Sequence, residues 1–501
     1  MSEPRDPESE FNRREVLLCL GSTGLAVELG KLSLNAGEIE SNAGEIGPTI
    51  AGYPDSLSVK AGDDIGFHIS TGLKKYSIEI FRMGAKKESV WTREGLPGAP
   101  YPVPENACSH GCDWPLALRV SVPREWRSGY YSAVLRGEDS AGRSATGEMF
   151  FVVRSARPGK DARILLQLTT NTYNAYNTWG GMSLYGNPRG RRVSFDRPWA
   201  GFADPDGFTG TYSGWRNWEE PFVRWAEQAG YSLDYAVNSD LEFHPELLED
   251  YRLVLSVGHD EYWSSPMRDH LETFITGGGN VAFLSGNTAF WQVRSESMGR
   301  ALVCWKQDYT EDPFHRSGRH GLLATMWCHR LVGRPENQMT GVSWAYGGYH
   351  RFFEQFPDGA GGYTIHRPEH WIFEGTGLKR GDLLGAKHTI VGYECDGCQF
   401  EMNNGVPVPT HRDGTPETFE ILGTAPAGLS TTDNSIGIVA DGLYGRGSGR
   451  SHPQPGAAVL GSYTRGGTVV TSGCTNWPHG LRGGDETVER ITRNILDRLS
   501  G

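Results

Sequence analysis

The strongest constraint in this sequence is a change of hydrophobic rhythm near Pro158-Gly159. From about residue 48 to 155, apolar and polar residues alternate with a period of two. The runs are Ser56-Leu-Ser-Val-Lys, Ile65-Gly-Phe-His-Ile, Tyr76-Ser-Ile-Glu-Ile-Phe-Arg, Ala117-Leu-Arg-Val-Ser-Val, Tyr130-Tyr-Ser-Ala-Val-Leu-Arg and Glu148-Met-Phe-Phe-Val-Val-Arg. Such a period sends successive side chains to opposite faces of an extended chain, so each run predicts a half-buried strand. Turn signals of Gly, Pro and Asp separate them, and short strands at this spacing predict an immunoglobulin-like β-sandwich over residues 48–157.

Beyond the boundary, short apolar runs alternate with helical patterns. Arg163-Ile-Leu-Leu-Gln-Leu, Leu233–Val237, Leu253–Val257, Val281–Leu284 and Val469-Val470 read as buried strands. Trp218, Phe222, Trp225 and Ala229 fall on one helical face stopped by Gly230. Ser265-Pro266 opens a helix carrying Met267, Leu271, Phe274 and Ile275 that ends at Gly277-Gly-Gly, and Asp485 caps a last helix lined by Val488, Ile491, Ile495 and Leu499. Strands alternating with helices predict an α/β domain over 158–501 around a mostly parallel, doubly wound sheet, with an irregular β insertion at about 300–465.

Length and charge narrow the function. At 501 residues two or three domains are expected, and a net charge of −12 with no basic face argues against a nucleic-acid partner. No apolar run approaches the ~18–20 residues that a membrane span needs. Residues 1–47 are polar, with Asn35-Ala-Gly-Glu-Ile repeated at Asn42, and read as a disordered or signal-like segment. Arg13-Arg14 ahead of a weakly apolar stretch from Leu18 to Val27 favours twin-arginine export, with a cytoplasmic protein carrying a polar arm as the alternative. The pairs Cys108/Cys112 and Cys395/Cys398 are open to three readings: a four-cysteine zinc site, two local disulfides, or small buried residues. Cys19, Cys304, Cys328 and Cys474 read as ordinary buried residues.

Chemistry belongs beyond the carboxyl ends of the parallel strands. Three polar segments fall there: Thr169 to Gly186 with Tyr173, Tyr176 and Tyr185; Gly258-His259-Asp260-Glu261-Tyr262-Trp263; and Ser285-Gly286-Asn287-Thr288. There is no Gly-x-Ser-x-Gly elbow, no cysteine after a suitable strand and no His-Glu-x-x-His helix, so nucleophilic and zincin chemistry lack support. Histidine, glutamate and tyrosines remain. Phenolates and carboxylates are hard anionic donors, and a phenol with a pKa near ~10 ionises at neutral pH only beside a strong cation. Two phenolates and one carboxylate would balance ferric iron.

Tyr173-Asn-Ala-Tyr176-Asn, Gly180-Gly-Met-Ser-Leu-Tyr185, Val257-Gly-His-Asp-Glu-Tyr-Trp263, Ser285-Gly-Asn-Thr288, Val391-Gly-Tyr-Glu394 and Asn476-Trp-Pro-His-Gly-Leu481 resemble the large (beta) subunit family of N,N-dimethylformamidase, over roughly residues 48–499. The resemblance implies a mononuclear Fe3+ amidohydrolase acting on a small amide, with a central domain similar to the class I glutamine amidotransferases but without their cysteine nucleophile. It implies Tyr176, Tyr185 and Glu261 as iron ligands, with Tyr173 the competitor for the place of Tyr185. His259 would stand behind the ligands, Asn287 and Lys306 would line the substrate pocket, and Glu394 would be the general base. Tyr173 and Tyr262 read as packed aromatics. A small partner subunit and a homo-oligomer are both compatible with the resemblance, although this chain is shorter than the family's large subunit. Two rival readings stand beside it. One is a non-catalytic carbohydrate- or peptide-binding protein, suggested by 15 Trp; the other is a divalent-metal hydrolase of different specificity.

Overall fold

The computed structural model describes residues 48–186, 188–200, 213–353 and 356–501. The Arg13-Arg14 segment, the repeat at 35–46 and Cys19 lie outside the described residues. Among the described residues no helix is long and apolar enough to cross a membrane.

The period-two runs form two facing sheets. One contains Ile50–Pro54, Asp64–Thr71 and Leu116–Ser121; the other orders Ser58–Lys60, Ser144–Arg154, Gly129–Glu138, Lys75–Met83 and Lys87–Pro97. Their inner faces meet through Ile65, Phe67 and Ile69 against Ile78, Ile80, Ala133, Leu135, Phe151 and Val153. Lys87–Pro97 has no alternating signal because it is an edge strand with most of its side chains in solvent.

The outer face of the larger sheet is not left to water. Tyr130, Phe150 and Val152 belong to the core of the α/β domain, and Tyr130 stacks on Trp215 with ring centroids 4.1 Å apart. Arg82 on the sandwich forms a two-pronged ion pair with Glu227 on the helix Glu219–Gln228, at 2.6 and 3.2 Å. Both groups are almost out of water, at 6% and 13% side-chain exposure, so this pair joins the two domains directly.

The α/β domain is built on a nine-stranded sheet. In spatial order its first five strands are Leu233–Val237, Ile164–Leu168, Leu253–His259, Asn280–Gly286 and Gly467–Thr471, all parallel. The other four, Gly456–Arg465, Glu420–Ala427, Tyr363–Ile365 and Leu383–Leu384, pair antiparallel. The sheet is therefore mixed, and much of the irregular stretch 300–465 supplies its antiparallel half. Alternate residues of the parallel strands serve opposite faces. Leu166, Leu255 and Ala282 pack with Phe222, Ile491 and Ile495 on one side, and Leu165, Val254, Val281 and Phe283 pack with Met267, Leu271 and Ile275 on the other. Ser264 and Asp485 cap the helices Ser265–Thr276 and Glu486–Ser500 by accepting backbone N–H bonds.

The cysteine readings are settled within the described residues. All seven described cysteines are free thiols, so neither close pair is a disulfide. No group of three or more His, Cys, Asp or Glu is placed to hold a metal ion there, so the four-cysteine zinc site does not form. Cys112 lies in a small cluster with Tyr53 and Trp114 beside the sandwich, whereas Cys395 and Cys398 lie in the two cores of the α/β domain. The neighbour of Cys395 is Cys474, with the two sulfurs 3.8 Å apart across an antiparallel bridge.

Candidate metal centre

Chain order and spatial order diverge at one point of the parallel sheet. The strand Ile164–Leu168 is followed in sequence by Leu233–Val237 on one side, and then by Leu253–His259 on the other. The two connections leave in opposite directions and open a crevice at the strands' carboxyl ends. Tyr176 ends the short helix Thr170–Tyr176 that follows the first of these strands, and His259 is the last residue of the other. Gly258 makes that exit feasible: its φ is +85°, and a Cβ there would lie 2.2 Å from Cβ of Trp218. Gly286 does the same for the neighbouring strand, where a Cβ would lie 2.5 Å from the carbonyl oxygen of Glu394.

Glu261 is the hub. Its carboxylate accepts from the Tyr185 hydroxyl at 2.9 and 2.8 Å, from the Tyr176 hydroxyl at 3.3 Å and from Trp291 Nε1 at 2.7 Å. His259 Nε2 lies 3.3 Å from Glu261 Oε2 and 2.7 Å from Glu394 Oε2. Lys306 Nζ sits 3.4 Å above the centre of the Tyr185 ring, and the Asn287 side chain lies beside Glu394 and helps to hold that carboxyl down. All seven residues singled out in the sequence thus meet in one buried cluster. Tyr173 does not join it. Its hydroxyl donates to Glu219 Oε1 at 2.5 Å, which removes it as an alternative to Tyr185.

The electrostatics separate the two carboxylates. Burial pushes Glu261 up, but the contact with His259 and the charge of Lys306 outweigh it and hold the carboxyl below its ordinary value. Burial pushes Glu394 up and the charge of Glu261 adds to it, so this carboxyl ends above its ordinary value in spite of His259. Burial alone would lower His259, yet the two glutamates hold its imidazolium well above the usual range. Lys306 is drawn down to about 8, mainly by burial. Burial and the neighbouring Glu261 charge raise both Tyr176 and Tyr185 well above the ordinary phenol value, so these phenols ionise only if a strong cation joins them.

The donor set fits such a cation. A small hard ion in octahedral geometry, with bonds of about 2.0–2.1 Å, spaces adjacent oxygens by roughly 2.8–3.0 Å. The phenol oxygens of Tyr176 and Tyr185 each lie 2.8 to 3.3 Å from a carboxylate oxygen of Glu261. Two residues of the cluster carried no signal of their own. Tyr262 reads as a packed aromatic, yet its hydroxyl donates to the Tyr185 oxygen at 2.7 Å; its place directly after Glu261 was the available hint. Trp291 reaches Glu261 because the strands Tyr262–Ser264 and Trp291–Glu296 pair in register, which sequence spacing does not reveal.

Fold and site together define a protein in which a β-sandwich packs on an α/β layer structure, with a buried phenol–carboxylate cluster at the carboxyl ends of its parallel strands. The chain belongs to the family described as N,N-dimethylformamidase beta subunit-like, C-terminal, which it matches over residues 77–490. It is 23% identical over 455 residues to the N,N-dimethylformamidase beta subunit of Paracoccus aminophilus, an alignment that covers 78% of this chain and 55% of the relative. The beta subunit of the same name from an Alcaligenes species gives 23% over 456 residues, with the same coverage. The chain therefore spans about half the length of the curated relatives it matches. Among solved structures, the sporulation control protein of Bacillus subtilis aligns with a TM-score of 0.17 at 9% identity, covering 23% of this chain and 52% of that one, a likeness that carries no argument.

Proposed function

We propose that this chain is an iron-dependent amidohydrolase that cleaves the C–N bond of a small N-substituted amide, in the manner the relatives' name describes. The observation that carries the reading is the buried cluster of two phenol oxygens and one carboxylate, spaced as neighbouring donors to one ion. Tyr176, Tyr185 and Glu261 would hold a trivalent iron whose contribution when bound is Lewis acidity toward the amide carbonyl and toward water.

The chain's own groups account for the rest. Glu394, 2.7 Å from His259, accepts the proton released as water adds to the carbonyl carbon, and delivers it to the nitrogen as the C–N bond breaks. His259 touches both carboxylates and keeps Glu394 aimed at the crevice. Asn287 adopts a left-handed φ of 50°, a conformation asparagine tolerates better than most residues, and stands beside Glu394, where its amide would face the substrate. Lys306 places a positive charge beside the oxygen cluster, where charge developing on the substrate oxygen would be stabilised; a contact of that kind is typically worth ~3 kcal/mol of barrier. The products are a carboxylic acid and an amine. The same reading takes the sandwich as immunoglobulin-like in fold and the α/β domain as similar in fold to the class I glutamine amidotransferases.

The test is direct. The full chain, purified without added metal, should contain stoichiometric iron, show a visible phenolate-to-metal absorption band and convert N,N-dimethylformamide to formate and dimethylamine. Hydrolysis without iron would sink the metal assignment, and iron without hydrolysis of any small N-substituted amide would sink the hydrolase. Because the relatives are named as subunits, the native mass of the active species tests for a second chain or a homo-oligomer.

A further inference from the structure

This inference rests on the reading of Tyr176, Tyr185 and Glu261 as metal donors. One buried hydroxyl at the cluster has no part in that reading. Tyr262 is 0% exposed, and its hydroxyl donates to the oxygen of Tyr185 at 2.7 Å. Its backbone is fixed from two sides. Tyr262 pairs with Trp291 across parallel strands, and its carbonyl accepts from Asn171 Nδ2 at 3.1 Å. Trp291, its strand partner, donates to Glu261 at 2.7 Å. Two facing residues therefore each aim one donor at a different member of the cluster, and Lys306 lies against both rings, 5.2 and 5.1 Å from their centres.

A buried tyrosine hydroxyl is ordinarily satisfied by a carbonyl or carboxylate. Here it is spent on the oxygen of another tyrosine. A phenolate that binds an ion retains lone pairs, and an O–H donor at this distance fixes the ring's orientation and draws off part of its negative charge. We infer that Tyr262 is a positioning residue for Tyr185: its hydrogen bond holds the phenol oxygen toward Glu261 and sets how strongly that oxygen donates electrons to the metal.

The experiment compares the iron-loaded full chain with Tyr262→Phe, reading the charge-transfer band and the iron retained against graded chelator. Removing the donor makes the phenolate more electron-rich, so the band should move to longer wavelength, and iron should be held about 10–100-fold more weakly. Replacing Tyr262 by 3-fluorotyrosine keeps the hydroxyl and its size while making it a stronger donor, so the band should move to shorter wavelength. This second variant decides the matter if the Phe variant does not fold. Opposite shifts in the two variants support the inference. If the wild-type chain holds iron with its band, and neither substitution moves the band or the retention, Tyr262 is only packing and the inference is overturned alone. If the wild-type chain holds no iron and shows no band, the donor assignment fails and takes this inference with it.

Discussion

Glu261→Gln keeps the shape of the hub and changes only its charge and one of its oxygens. Both oxygens are in use in the native protein: Oε1 accepts from Trp291 at 2.7 Å and from Tyr185 at 2.9 Å, and Oε2 lies 2.8 Å from Tyr185, 3.3 Å from Tyr176 and 3.3 Å from His259. An amide accepts on one side only, and its NH2 must face donors on the other. The shortest contacts, from Trp291 and Tyr185, are hydrogen bonds to a charge, worth about 1.5–3 kcal/mol each. Losing one of them and burying a donor against a donor should cost the metal-free protein about 3 kcal/mol. The loaded protein should lose more. Orienting groups behind a ligand are worth about 10–100-fold in metal affinity, so neutralising one of three anionic donors should weaken iron by at least about 100-fold. The assay is iron per chain after dialysis against chelator, read with the visible band, amide hydrolysis and urea unfolding of both metal-free proteins. Iron held by the Gln variant as tightly as by the native chain would refute the reasoning, whatever happens to activity.

Tyr176→Phe should abolish bound iron and hydrolysis, whereas Tyr173→Phe, which removes one of Glu219's donors and leaves the two from Thr169, should cost about 1–2 kcal/mol of stability and leave iron in place; equal iron loss in both would erase the distinction. Burial pushes Glu227 up, but Arg82 outweighs it and holds the folded carboxyl below its ordinary value. A depressed folded pKa stabilises above the unfolded value of about 4.3 and loses that stabilisation as pH falls through the folded value. Unfolding of native and Glu227→Gln proteins should therefore differ by about 3 kcal/mol at pH 7, shrinking toward zero below about pH 4; a pH-independent difference would contradict the pair. Oxidation of the folded chain with a small-molecule disulfide, followed by peptide mapping, should link Cys395 to Cys474 and never Cys395 to Cys398.

Much of this protein was open to a reader of the sequence, for local reasons. The alternation in Tyr76–Arg82 and the spacing of Val488, Ile491, Ile495 and Leu499 are properties of a few consecutive residues, and strand and helix both appear where they predict. Lys87–Pro97 escaped because a solvated edge strand has no burial to imprint a period. Cys395 and Cys398 invited pairing by proximity in sequence, but three positions apart along extended chain they face different cores, and an antiparallel bridge brings Cys474 to Cys395 instead.

By itself the sequence determined the kinds of group available, phenols, a carboxylate and a histidine in the segments at and beyond the ends of the parallel strands, and hence a hard, oxygen-rich chemistry. Tertiary structure decided which of them meet. It turned Tyr173 to Glu219 and Tyr185 to Glu261, brought Trp291 and Tyr262 into the cluster through a strand pairing, and laid the sandwich's outer face on the α/β domain. The reason is range. Periodicity and turn chemistry act over a handful of residues, whereas the contact between Tyr176 and Glu261 spans 85 positions and exists only once the sheet has set its strand order.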